Sequence, residues 1–180
     1  MAQERHIQDY LGFRIIANEK GSRVYTIPKK DKKSKELYAY DGSGLEICIS
    51  KAEKFINERC ANRDAKRRAP HIGTVDDYIE ALEALSLGDH ERAMLTAHRK
   101  SSNRRMTAEE LAASAGWDGF SSANSHYGKL GQRIAYHLGL NINSHDDQAW
   151  TEALATFDET TRQWEMHEEL ASAIDRLNMS

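Results

Sequence analysis

The chain predicts an α+β protein: a small basic β-β-β-α module, a basic linker, and a mainly helical unit of winged-helix type. Three observations carry this. Alternating apolar positions dominate the first third, helical spacing with N-terminal capping signatures dominates the remainder, and between them lies an aperiodic cationic stretch. The boundaries fall at residues 1–61, 62–73 and 74–180.

In the first module Phe13 and Ile15 flank Arg14, Val24 and Thr26 alternate with Tyr25 and Ile27, and Leu45, Ile47 and Ile49 alternate with Glu46 and Cys48. Each run fits a half-buried strand. Ser50 then stands as an N-cap with Glu53 as its capping-box partner, and Ala52, Phe55, Ile56 and Arg59 recur at helical spacing. A sheet with one apolar face must be covered, and this helix is the available cover. Pro28 and the lysine run Lys29, Lys30, Lys32, Lys33 and Lys35 precede a strand-like Glu36–Tyr40. The run reads as a hairpin tip, either a solvated device against edge pairing or a finger for phosphates.

Asn62 to Gly73, NRDAKRRAPHIG, loses periodicity and gains charge, so it reads as the linker, with Arg67 and Arg68 in a second basic patch. Beyond it, Thr74 and Asp77 cap a helix lined by Tyr78, Ile79, Leu82 and Leu85. Gly88 and Asp89 separate it from a second helix bearing Met94, Leu95 and His98. Thr107 with Glu110 forms another capping box, Leu111, Ala112 and Ala115 make the stripe behind it, and Gly116 ends that helix. The next helix starts near Ser121 and buries Ala123, Tyr127, Leu130, Ile134 and Leu138. Its opposite face carries Ser121, Ser125, Gly128, Lys129 and Gln132. AWTEALATF and RQWEMH read as two strands around Asp158–Thr161, and Glu168–Leu177 as a closing helix. Helix pairs of this kind often present the second helix to DNA.

The net charge of −3 is unevenly spread. Residues 1–71 carry 16 Lys and Arg against 10 Asp and Glu; residues 72–180 carry 9 against 18. A uniformly basic nucleic-acid binder is excluded, but local binding is not. Residues 90–140 hold 7 basic and 4 acidic side chains, and 141–180 hold 2 and 9. A docked polyanion is therefore expected to meet the former segment, with Arg99, Lys100, Arg104 and Arg105 of RKSSNRR as phosphate contacts. No metal, nucleotide or nucleophile motif occurs, and the eight histidines lack ligand spacing. Cys48 and Cys60 read as buried thiols in a reducing compartment. A cytoplasmic, non-enzymatic protein without cofactor or membrane partner is the expectation.

The run Glu91–Ile134 resembles the helical domain attached to some HNH-type restriction endonucleases. The likeness lies in Met94-Leu95 with His98, in Thr107 with Leu111-Ala112 and Gly116, and in Asn124 with Tyr127 to Gly131. The closing WEMHEELASAIDRL extends it over roughly residues 75–178. The HNH motif itself has no counterpart in this chain. The resemblance implies a DNA-associated role in phage or mobile-element biology without cleavage chemistry. Two functions follow as expectations: a non-catalytic DNA-binding protein, or an anti-CRISPR or anti-restriction inhibitor that binds a host defence complex. A homodimerisation module is a third, since helix faces rich in small residues also pair with one another.

Overall fold

The computed structural model describes residues 5–27, 34–142 and 147–179. It divides into two compact units, residues 1–66 and 67–180.

The first unit is a four-stranded antiparallel sheet in sequence order, β1 (His6–Tyr10), β2 (Phe13–Asn18), β3 (Gly21–Thr26) and β4 (Glu36–Asp41), followed by α1 (Leu45–Asp64). Pairing Phe13 with Thr26 and Ile15 with Val24 puts Phe13, Ile15, Ala17 and Val24 on one face. Cys48, Ala52 and Ile56 of α1, spaced i, i+4, i+8, cover that face and are fully buried. Phe55 stacks on Tyr38 with ring centroids 4.5 Å apart.

Two expectations fail here. Leu45–Ile49 is the first turn of α1 rather than a strand, and Ser50 lies inside the helix, whose N-cap is Gly44 at φ +92°. Leu45, Cys48, Ile49 and Ala52 fit helical spacing as well as Leu45, Ile47 and Ile49 fit alternation, and so short an apolar run cannot separate the two periods. The sheet instead gains β1 at one edge, and the strand-like Glu36–Tyr40 forms the other edge as β4. Cys48 is buried and Cys60 partly buried within α1, and no disulfide joins them. The lysine run at 29–33 lies outside the described residues.

The second unit holds α2 (Val75–Ala84), α3 (Asp89–Lys100), a 3₁₀ turn (Ser102–Arg104), β5 (Arg105–Met106), α4 (Ala108–Ser114) and α5 (Phe120–Leu138). A 3₁₀ segment (Asp147–Ala153), β6 (Ala155–Asp158), β7 (Gln163–Met166) and α6 (Glu168–Arg176) complete it. The sheet order is β5-β7-β6, antiparallel throughout. Helix, short strand, two helices, then a hairpin pairing back onto that strand is winged-helix connectivity, with α5 in the second position of the helix-turn-helix.

Local chemistry explains the boundaries. Thr74 with Asp77, and Thr107 with Glu110, form complete capping boxes. Gly116, at φ +74°, closes α4: its N–H donates to Ala113 and that of Trp117 to Ala112, a Schellman motif. The expected strand AWTEALATF is half wrong, because its first five residues lie in the 3₁₀ segment and only Ala155–Asp158 is strand. Ala153, Leu154 and Ala155 are buried in succession, without the alternation of a half-buried strand.

The linker expectation also changes. Arg67 belongs to the second unit, where its side chain is 3% exposed and pairs with Asp77 at 3.1 Å. Its Nη2 donates to the Leu138 carbonyl at 2.7 Å, so the guanidinium caps the C-terminus of α5.

Candidate nucleic-acid interface

α5 is 19 residues long and contains no Asp or Glu. Ala123, Tyr127, Leu130, Ile134 and Leu138 are buried as its periodicity requires, while Ser121, Ser122, Ser125, His126 and Lys129 face solvent. The C-terminal half is covered. A Cβ built on Gly131 would stand 2.0 Å from the Trp150 carbonyl oxygen, so the 3₁₀ segment lies directly on the helix backbone. Gly128 is likewise buried, not on an open face as the sequence suggested. Gln132 is half-buried, and the exposed Tyr136 ring sits 5.0 Å from that of Trp150. The open surface is therefore the N-terminal half of the helix, with exposed Phe120 at its start.

Trp117, just before α5, lies between two imidazoles, 4.9 Å from His90 and 4.7 Å from His126. His90 Nδ1 is 2.8 Å from the Ala115 carbonyl. This cluster fixes the turn between α4 and α5, a role the sequence reading did not assign.

The cationic loop is less free than its sequence implies. Arg99 binds both carboxylate oxygens of Asp175, the shortest contact 2.7 Å. Arg105 pairs with Glu165 at 2.6 Å and with Asp158 at 3.7 Å. Arg68 makes a forked pair with Glu169 at 3.0 and 3.3 Å. With Arg67 on Asp77, four of the expected phosphate contacts are engaged by carboxylates of the same unit. The expectation of separate basic and acidic surfaces is corrected accordingly. The Asp158 carboxylate accepts from Thr161 and Thr160 in the β6–β7 turn, which holds it below the usual carboxylate range.

Lys100 is exposed, and Arg104 donates through Nε to the Met166 carbonyl at 3.2 Å. Asn103 and Arg104 both adopt positive φ, 53° and 57°, beside a shallow depression lined by Asn103, Arg104, Arg105 and Glu165. Two consecutive non-glycine residues in this region are uncommon and costly.

Most of the residues behind the HNH-domain resemblance serve architecture. His98 is fully buried, with Nδ1 2.8 Å from the Tyr127 hydroxyl and Nε2 2.9 Å from the Trp164 carbonyl. A neutral ring donates from Nε2 and accepts the Tyr127 proton at Nδ1, and burial pushes the imidazole below its ordinary pKa. Burial also pushes the Tyr127 phenol upward. Lys129 is the one exposed side chain of the motif.

Among the described residues no three His, Cys, Asp or Glu stand together as a metal site, and no helix is long and apolar enough to cross a membrane. Comparison with protein families, curated proteins and solved structures gave no match to this chain.

Proposed function

We propose that the second unit is a non-catalytic DNA-binding module that sets the N-terminal half of α5 into the major groove. One observation carries this reading: in winged-helix connectivity, the exposed half of the second helix presents Ser121, Ser122, Ser125, His126 and Lys129 without a single carboxylate. Hydroxyls, an imidazole and an ammonium are donors for base edges and phosphates. The N-terminal residues of such a helix are the ones that reach bases. The likeness of Glu91–Ile134 to the helical domain of HNH-type endonucleases supports a DNA-associated role in phage or mobile-element biology, and it belongs to the same proposal.

Lys100, Arg104 and Lys129 are the cations of the candidate set without a carboxylate partner among the described contacts. Three phosphate contacts give a slope of log K against log salt of roughly −2.7, at about −0.9 per phosphate. Fluorescence anisotropy of the full chain with a labelled duplex across a salt series tests this. Lys129→Ala should weaken binding and make the slope shallower by about 0.9. An unchanged slope, or no duplex binding at low salt, refutes the proposal.

The inhibitor reading either docks the basic half on an acidic subunit of a defence complex or treats the C-terminal segment as a polyanion mimic. Asp158, Glu165, Glu169 and Asp175 are spent on internal arginines, which weakens that alternative.

A further inference from the structure

Lys100 and Arg104 lie on the turn that leads from α3 into β5, and that turn is held in a conformation it would not keep alone. Asn103 at φ 53° and Arg104 at φ 57° both occupy the left-handed region, where a Cβ is unfavourable. Such backbone persists only where its surroundings fix it. The Arg104 amide donates to the Ser101 carbonyl at 3.1 Å, and Arg104 Nε to the Met166 carbonyl at 3.2 Å. The other ties converge on one buried residue. Ser101 Oγ donates to the His98 carbonyl at 2.7 Å, and the Arg104 carbonyl faces the His98 ring.

That ring in turn reaches β7 and α5. It donates from Nε2 to the Trp164 carbonyl and accepts at Nδ1 from the Tyr127 hydroxyl. Tyr127 is fully buried and has no second hydrogen bond among the described contacts. A proton added at Nδ1 therefore sets two donors face to face. The phenol can accept from the new N–H only by turning its own proton away, where no acceptor meets it. A buried donor without a partner is costly, so the ring must shift, and the turn loses its support. Glu110 of α4 and His167, between β7 and α6, are the other ionisable groups that act on the ring. Burial, with His167, holds the imidazole below its ordinary range; the Trp164 and Arg104 carbonyls and Glu110 pull the other way without prevailing.

We infer that His98 is a positioning residue that couples the turn at 101–104 to α5 and releases it in acid, withdrawing Lys100 and Arg104 from the phosphates beside the docked helix. Histidine is the side chain whose charge changes nearest neutral pH, and here both ring nitrogens are committed to different elements of the unit. The inference rests on the α5 proposal for its phosphates, whereas the coupling itself is a property of the turn and is read without DNA.

The test follows the full chain at pH 7.5 and pH 5.0 by amide hydrogen exchange, corrected for the intrinsic rate, and by anisotropy with a labelled duplex. In the wild type, residues 101–106 should lose about tenfold in protection at the lower pH while residues 130–134 keep theirs, and duplex affinity should fall about fivefold. His98→Gln keeps a donor for the Trp164 carbonyl but does not titrate. It should bind the duplex more weakly at pH 7.5 and show no opening of the turn between the two conditions. Groups that titrate elsewhere are common to both chains, so the difference between the two profiles belongs to His98. If protection at 101–106 is level, or is lost only together with 130–134, His98 serves the core alone and the inference is overturned. An opening that persists in His98→Gln overturns it equally. Where that variant does not fold, the nitrogen chemical shifts of the wild-type His98 ring decide: they should move with the turn, and shifts that stay level while it opens overturn the inference. If the turn opens in acid with duplex affinity unmoved, the inference is overturned and α5 stands. If no duplex binds at either pH yet the turn opens, the α5 proposal falls and the coupling stands.

Discussion

Gly131→Ala puts a number on how tightly the 3₁₀ segment closes over α5. Replacing glycine by alanine inside an exposed helix normally stabilises it by about 1 kcal/mol, because alanine has the better propensity. Here the added Cβ would meet the Trp150 carbonyl oxygen at 2.0 Å, its carbon at 2.8 Å and the Thr151 nitrogen at 3.4 Å. All three are backbone atoms, so no rotamer change relieves the clash, and the helix and the segment must separate by about 1 Å to restore ordinary contact. That separation loosens Ala153 and Leu154, both fully buried. Overpacking of this kind costs about 1–3 kcal/mol, with rigid neighbours at the upper end. The net expectation is a loss of about 2 kcal/mol after the propensity gain. For a unit of this size that lowers the melting temperature by roughly 6–12 °C. Urea unfolding followed by circular dichroism measures the loss, and tryptophan emission reports the displacement of Trp150. A variant as stable as the wild type, or more stable, would show that the segment does not seal the helix.

Three further outcomes follow from the same geometry. Arg67→Ala leaves Asp77 buried without its cation and uncaps the α5 carbonyls, so it should cost about 3–5 kcal/mol in urea unfolding; a loss below about 1 kcal/mol, typical of an exposed pair, would contradict its structural role. Burial lowers the pKa of His98 and of His167 in the folded state, so the unfolded chain takes up protons first as pH falls through the ordinary histidine range. Stability is therefore full above about pH 6.5 and declines below it, by up to about 1.4 kcal/mol per pH unit for each ring; denaturation midpoints that stay level or rise between pH 7.5 and 5.5 would refute this. Arg104→Ala should make the salt dependence of duplex binding shallower by about 0.9, whereas Arg105→Ala, whose charge Glu165 already meets, should change it by less. Equal changes would mean that the Arg105 pair opens on binding.

Much of the helical unit is legible in the sequence because its signals are local. Thr74–Asp77, Thr107–Glu110 and Gly116 each specify a helix end within four residues, and the buried stripe of α5 follows from its period alone. The misread parts depend on distant contacts. Leu45–Ile49 satisfies two periodicities at once, and the sheet behind it decides that it is helix. Gly128 looks like part of an open surface but is buried, and at Gly131 a segment some twenty residues further on lies against the helix. Arg67 sits among charged neighbours in NRDAKRRAP and gives no local sign that its partners are Asp77 and the end of α5. A capping arginine and a solvated one have the same sequence context.

Charge is where sequence reading misleads most, and the reason bears on function. Counting cations by segment treats each as available, yet Arg68, Arg99 and Arg105 find carboxylates between 60 and 101 residues away in the chain. Pairs of this sort, largely at the surface, add little stability one by one. Their effect is to cancel the field that a run such as RKSSNRR would otherwise project. The exposed N-terminal half of α5 escapes this cancellation, since it carries no acidic residue and is polar rather than strongly basic, whereas Arg133 further along is met by Glu91 at 2.6 Å. Such a surface gains little from counterion release and must draw its affinity from short-range donors that fit a groove. A slope no steeper than the roughly −2.7 of three phosphate contacts, with marked preference between duplex sequences, is therefore the behaviour this helix should show, and a much steeper slope without preference would count against α5 as the contact.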